Sequence, residues 1–159
     1  MNQEEGSAGP VIGTVALAAV LWVFAFRMGG AGFWIKISLS AALLAGLAFR
    51  FQPNLKESIR FKGRTILLGL LSAAALYLLF WSGQVVSTFL FPFAAPQIGE
   101  IYGLGRGVEA WQVALILFFV TGPAEEIYWR GFLQRRLSAR WGGFRGYLVA
   151  TALYAGVHL

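Results

Sequence analysis

Cysteine is absent from the 159 residues and histidine occurs once. Without thiols there is no disulfide, zinc–thiolate site, iron–sulfur cluster or thiol nucleophile. Charge is scarce too, at 13% of residues against roughly 25% in a soluble domain. What fills the chain is 58% hydrophobic, with a mean hydropathy of +0.67. That composition excludes an ordinary water-soluble globule. Disorder is excluded as well, because 14 Phe and 6 Trp are the opposite of a low-hydrophobicity, high-charge chain.

The apolar residues come in runs of membrane-spanning length, for which about 20 are needed. The first run is Val11 to Phe26 and the second Phe33 to about Phe49, separated by a glycine-rich turn. Trp22 and Trp34 read as interfacial anchors, and Lys36 as a residue whose stem snorkels to the headgroups. The third run, Thr65 to about Leu90, would be about 39 Å long as one helix against a core of about 30 Å. It is therefore tilted, or broken near Ser82 and Gly83. Residues 91–110 have loop composition, a fourth run starts at Trp111, and a fifth goes from about Phe144 to Leu159. The predicted fold is all-α, a polytopic bundle of about five spans.

The net charge of +6 is concentrated between the runs. The 50–64 segment has Arg50, Lys56, Arg60, Lys62 and Arg64 against one acid, and 134–145 has Arg135, Arg136, Arg140 and Arg145 against none. Residues 91–110 carry one base and two acids. Placing both basic segments in the cytoplasm puts the N-terminus inside too and makes these arginines topology anchors, with no nucleic-acid partner implied. Residues 49–64 read either as a short surface helix on anionic lipid or as a solvated loop. The N-terminal MNQEEGSAGP has two acids and no base, so the first span is expected to stay rather than to be cleaved as a signal peptide.

Three charges stand out: Glu125, Glu126 and Arg130 lie in or at the edge of the fourth run, where an ionised group costs about 2.5 to 3.5 kcal/mol. They must be paired or used. Glu126 and Arg130 are four apart, acid first, the favoured order for a helical ion pair. Glu125 points elsewhere and lacks that partner. Pro123 just before them suits a helix start, which would put both glutamates in a first turn; a kinked continuous helix is the alternative. Gly131 reads as a close-packing position. His158 and Glu125 reach similar depths on antiparallel neighbours, about 20 and 16 Å from the basic edge. Together a carboxylate and an imidazole can hold and deprotonate water. Two such groups fall short of the usual three metal ligands, so no cofactor is called for, though a metal stays open. The plain alternatives are a structural clasp for the charges and a packed histidine for His158.

PAEEIYWRGFLQRRL, residues 123–137, resembles the E-E-x-x-x-R motif of the CAAX protease and bacteriocin-processing (CPBP, Abi) family of intramembrane proteases. LYAGVHL, residues 153–159, resembles its F-x-x-x-H motif, with Tyr154 in the aromatic position. The resemblance implies a helical membrane endopeptidase related to the type II CAAX prenyl endopeptidases. Glu125 would be the water-activating base, Glu126 and Arg130 its partners, and His158 a water or oxyanion ligand. Residues 1–110 would form an N-terminal membrane region and 111–159 the start of the catalytic core. The expected partners are the lipid bilayer and a peptide or protein substrate at it, in a multi-pass protein of a bacterial plasma membrane. The family's third motif, a histidine four residues before an asparagine or aspartate, has no counterpart here. The chain is therefore expected to be an N-terminal part of such a protease, inactive or nearly so alone. The competing expectation is a non-catalytic scaffold, immunity or peptide-binding protein.

Overall fold

The computed structural model describes residues 8–28, 32–58, 63–103 and 108–158, and all regular structure among them is helical. The turn around Gly29 and Gly30, together with Arg60 and Lys62, lies outside the described residues. Helix α1 is Ala8–Arg27, α2 Phe33–Phe51, α3 the single turn Leu55–Ser58, α4 Gly63–Leu90 and α5 Ala94–Gly103. Helix α6 covers residues 110–141 without a break, and α7 is Gly143–Gly156. By length and hydropathy α1, α2 and α4 can each cross a bilayer. The chain is an all-α membrane protein.

The helices form two compact units. One comprises the described parts of residues 1–56 and 105–159, the other those of 57–104. In the second, α4 is one unbroken helix of 28 residues, so Ser82 and Gly83 do not interrupt it. Their backbone is satisfied within the helix, and the Ser82 hydroxyl donates to the Leu79 carbonyl at 2.9 Å. Helix α5 replaces the loop expected there. Pro96 is its third residue, where a missing N–H is no loss because the first four N–H groups have no helical partner.

The first unit holds α1, α2, α6 and α7. Helix α1 buries Thr14, Ala18, Trp22 and Ala25, one stripe at helical spacing, and α2 answers with Ile37, Ala41, Leu44, Ala45 and Ala48. The stripes are rich in alanine because apolar side chains gain little by leaving lipid for protein, so close backbone approach is what holds membrane helices together. Buried hydroxyls add to it: Ser38 of α2 and Thr121 of α6 lie 2.9 Å apart, oxygen to oxygen. Helix ends are satisfied by cations. Arg136 donates to the Phe51 carbonyl at the end of α2, at 2.7 Å, and Lys36 donates to the Met28 carbonyl just past α1. Arg136 is thus a cap and Lys36 more than a snorkelling anchor. Trp22 is no interfacial anchor either; it is fully buried in the bundle.

Helix α6 departs from α geometry twice. It is α-helical over Ala110–Ile116, Gly122–Glu125 and Arg135–Trp141, and π-helical over Leu117–Thr121 and Glu126–Gln134. No break occurs at Pro123: the new helix start expected there does not form, and the helix runs on through a widened turn. The reason is local: an interior proline offers no N–H and crowds the carbonyl four residues back, and a wider turn relieves both. The Gly122 N–H accordingly bonds to the Leu117 carbonyl, five residues back. A Cβ on Gly122 would stand 2.7 Å from that oxygen. Gly122→Ala is expected to cost about 1 to 3 kcal/mol of stability, the range for overpacking. A thermal melt in detergent that matched the wild type would show that the turn tolerates the methyl.

The α6–α7 connection depends on two further glycines. Gly142 has φ +85° and ψ 156°, a region that only glycine enters freely. Gly146, in the first turn of α7, lies directly against the Ser138 backbone of α6.

Candidate functional site

The residues singled out by the sequence sit on the facing sides of α6 and α7. Tyr154 is central. Its hydroxyl donates to Glu125 Oε2 over a long 3.4 Å, and its ring lies under the Arg130 guanidinium at 4.8 Å and against the His158 ring at 4.5 Å. Tyr154 and His158 are four residues apart, so helical spacing puts both on the face that looks at Glu125. His158 itself lies just past α7, where its N–H bonds to the Ala155 carbonyl at 3.0 Å in a closing turn.

Arg130 and Glu126 form the expected ion pair, at 3.2 Å, with about half of the arginine side chain and more of the glutamate exposed on the protein surface. Pairs of that exposure are worth about 0 to 1 kcal/mol in water. The arginine is held from a second side by the Tyr154 ring, a cation–π contact. Glu126 thus contacts Arg130, Arg130 lies over the Tyr154 ring, and the Tyr154 hydroxyl faces Glu125. Glu125 is half-buried and within electrostatic range of His158, Arg130 and Glu126.

Behind these groups stands an aromatic wall. Trp129 packs edge-on to Tyr154 at 5.3 Å and to Trp22 at 6.3 Å, and Trp22 packs edge-on to His158 at 5.7 Å. Trp22 also donates its indole N–H to His158 Nε2 at 3.0 Å. The other ring nitrogen, Nδ1, lies 2.7 Å from the Tyr154 carbonyl. Gly131 keeps the outer side of α6 open to Leu55, whose Cδ1 would be 3.0 Å from an added Cβ.

Two residues of this group were not picked out as functional from the sequence. Tyr154 figured only as an aromatic variant of a motif, although its position four before the histidine was a usable signal. Trp22 had none, being 136 residues from its partner.

Residues 107–159 match the family model of the Rce1-like type II CAAX prenyl endopeptidases. This third of the chain is similar to that family. No curated protein and no solved structure gives a match. The Rce1-like stretch holds Glu125, Glu126, Arg130, Tyr154 and His158, whereas Trp22 lies outside it. The donors among the described residues do not make up a metal site. Among the described residues no three His, Asp or Glu side chains converge, and both nitrogens of His158 already face hydrogen-bond partners.

Proposed function

We propose that the Rce1-like stretch carries the acid–base half of an intramembrane glutamate-type endopeptidase. In this reading Glu125 takes a proton from water as the water oxygen attacks the scissile carbonyl carbon. The protonated Glu125 then returns the proton to the amine as the C–N bond breaks. The observation that carries the reading is a carboxylate in contact with a tyrosine hydroxyl, within electrostatic range of an imidazole and not itself part of the ion pair that satisfies its neighbour. Tyr154 orients Glu125, Glu126 and Arg130 fix Tyr154, and His158 would help to hold the water or the oxyanion. The substrate class is a peptide presented at the membrane, with a prenylated C-terminal segment as the first candidate, and a bacterial plasma membrane as the proposed location. The basic 50–64 and 134–145 segments support a cytoplasmic N-terminus.

The chain has one histidine, so these residues provide no second imidazole for the oxyanion. Turnover by them alone is proposed to be about 100-fold or more below that of a site with a full set of donors. One observation favours a non-catalytic scaffold instead: His158 has both nitrogens engaged, as a packing histidine would. Cleavage of a farnesylated peptide by membranes carrying the chain, with Glu125→Gln and Arg130→Ala beside the wild type, separates the two. The protease reading requires turnover that is lost in Glu125→Gln. A membrane phenotype that survives Glu125→Gln but fails in Arg130→Ala would establish the scaffold.

A further inference from the structure

We infer that Trp22 is a positioning residue that occupies the one remaining lone pair of His158, so that the imidazole accepts a hydrogen bond from water only after the indole of α1 releases it. Two distances fix the protonation of the ring. A carbonyl oxygen only accepts, so the contact of 2.7 Å between Nδ1 and the Tyr154 carbonyl places the ring proton on Nδ1. An indole N–H only donates, so the contact of 3.0 Å with Trp22 requires Nε2 to be bare. Both conditions hold together in the neutral Nδ1–H tautomer, and that tautomer leaves no unused donor or acceptor on the ring. The partner of Nδ1 is backbone and stays in place under any side-chain change. Trp22 is the removable half of the arrangement.

Its placement suits that task. Trp22 is fully buried between Ala18 and Ala25 on the packed stripe of α1, and its ring is braced edge-on by Trp129. His158 as a whole is exposed, so what limits its chemistry is the hydrogen bond and not burial. Helix α1 lies outside the stretch that matches the endopeptidases, and the contact gives it a part in the site. That release must precede catalysis rests on the reading of Glu125 and His158 given above; the occupation of Nε2 does not.

The test uses the whole chain in lipid nanodiscs and reads no turnover. Diethyl pyrocarbonate acylates the bare nitrogen of an imidazole, and with one histidine in the chain the modified residue is unambiguous. His158 is expected to react slowly in the wild type. Trp22→Phe, which keeps an aromatic ring and removes the donor, is expected to raise the rate about five- to tenfold, the equivalent of one net hydrogen bond. Trp34→Phe removes another buried indole N–H, one with no hydrogen-bond partner and with ring contact to Phe33 rather than to Trp22 or His158, and is expected to leave the rate unchanged. Equal rates in wild type and Trp22→Phe, or equal acceleration in both variants, would overturn the assignment. Should Trp22→Phe not fold, the imidazole ¹⁵N spectrum of the wild type decides alone. A proton on Nδ1 with a hydrogen-bonded bare Nε2 supports the proposal, and a proton on Nε2 overturns it. Because neither readout needs catalysis, loss of the contact leaves the Glu125 reading standing, and absence of protease activity leaves the contact standing.

Discussion

Gly146→Ala is expected to destabilise the α6–α7 hairpin by about 3 kcal/mol, the upper end of the overpacking range. The added Cβ would lie 2.3 Å from both the backbone nitrogen and the Cα of Ser138, and 2.5 Å from the Leu137 carbonyl carbon. These are backbone atoms of a neighbouring helix, so no rotamer change relieves the overlap. The helices would have to separate by roughly 1 Å to restore ordinary contact, and packed interiors do not absorb such a shift cheaply. That separation would also draw Tyr154 and His158, both carried by the α7 segment, away from Glu125 on α6. Gly143→Ala is the control, since its Cβ would meet nothing within 4 Å, and it is expected to change stability by less than about 0.5 kcal/mol. Unfolding in mixed detergent micelles, followed by circular dichroism, compares the two. Equal midpoints would mean that the contact at Gly146 does not hold the hairpin.

Glu125→Gln is expected to remove whatever peptidase turnover the protein shows, by a factor of about 100 to 10,000, the usual worth of a general base. The substitution is chosen because it changes little else. Glutamine keeps the volume, and its amide oxygen can still accept from the Tyr154 hydroxyl, so the packing of α6 on α7 is expected to persist. Only the ability to take a proton is lost. Arg130→Ala acts differently: it deletes the partner of Glu126 and the cation over Tyr154, and so disturbs orientation without touching the base. Its effect should be smaller and should be accompanied by a change in tyrosine environment, visible by near-ultraviolet circular dichroism. If Glu125→Gln cleaves the farnesylated peptide at the wild-type rate, Glu125 is not the base.

These expectations differ in how much of them the sequence could supply. The ion pair of Glu126 and Arg130 was legible because helical spacing is a local property, and two charges in an apolar run have few other ways to be satisfied. The same holds for the membrane character of α1, α2 and α4, which depends only on length and composition. Pro123 shows the limit of local reasoning. Its lack of an N–H was visible, but a proline can start a helix, kink it or sit behind a widened turn, and only the backbone around Gly122 selects among these. Likewise Pro96 and the glycines of residues 91–110 argued for a loop where α5 forms, since a proline near a helix start removes nothing that the helix needs.

By itself the sequence determined that this is an apolar, cysteine-free, all-helical chain with paired charges in its fourth run, because composition and 3.6-residue spacing act over one or two turns. It also gave the expectation that Glu125 and His158 lie at comparable depth, a matter of counting residues from the basic segment that joins their helices. The tertiary structure alone decided that Tyr154 stands between them, that Gly146 lets their helices touch through backbone, and that Trp22 closes the imidazole from 136 residues away. A hydrogen bond at 3 Å depends on how two helices cross, and neighbours along the chain carry no record of that angle.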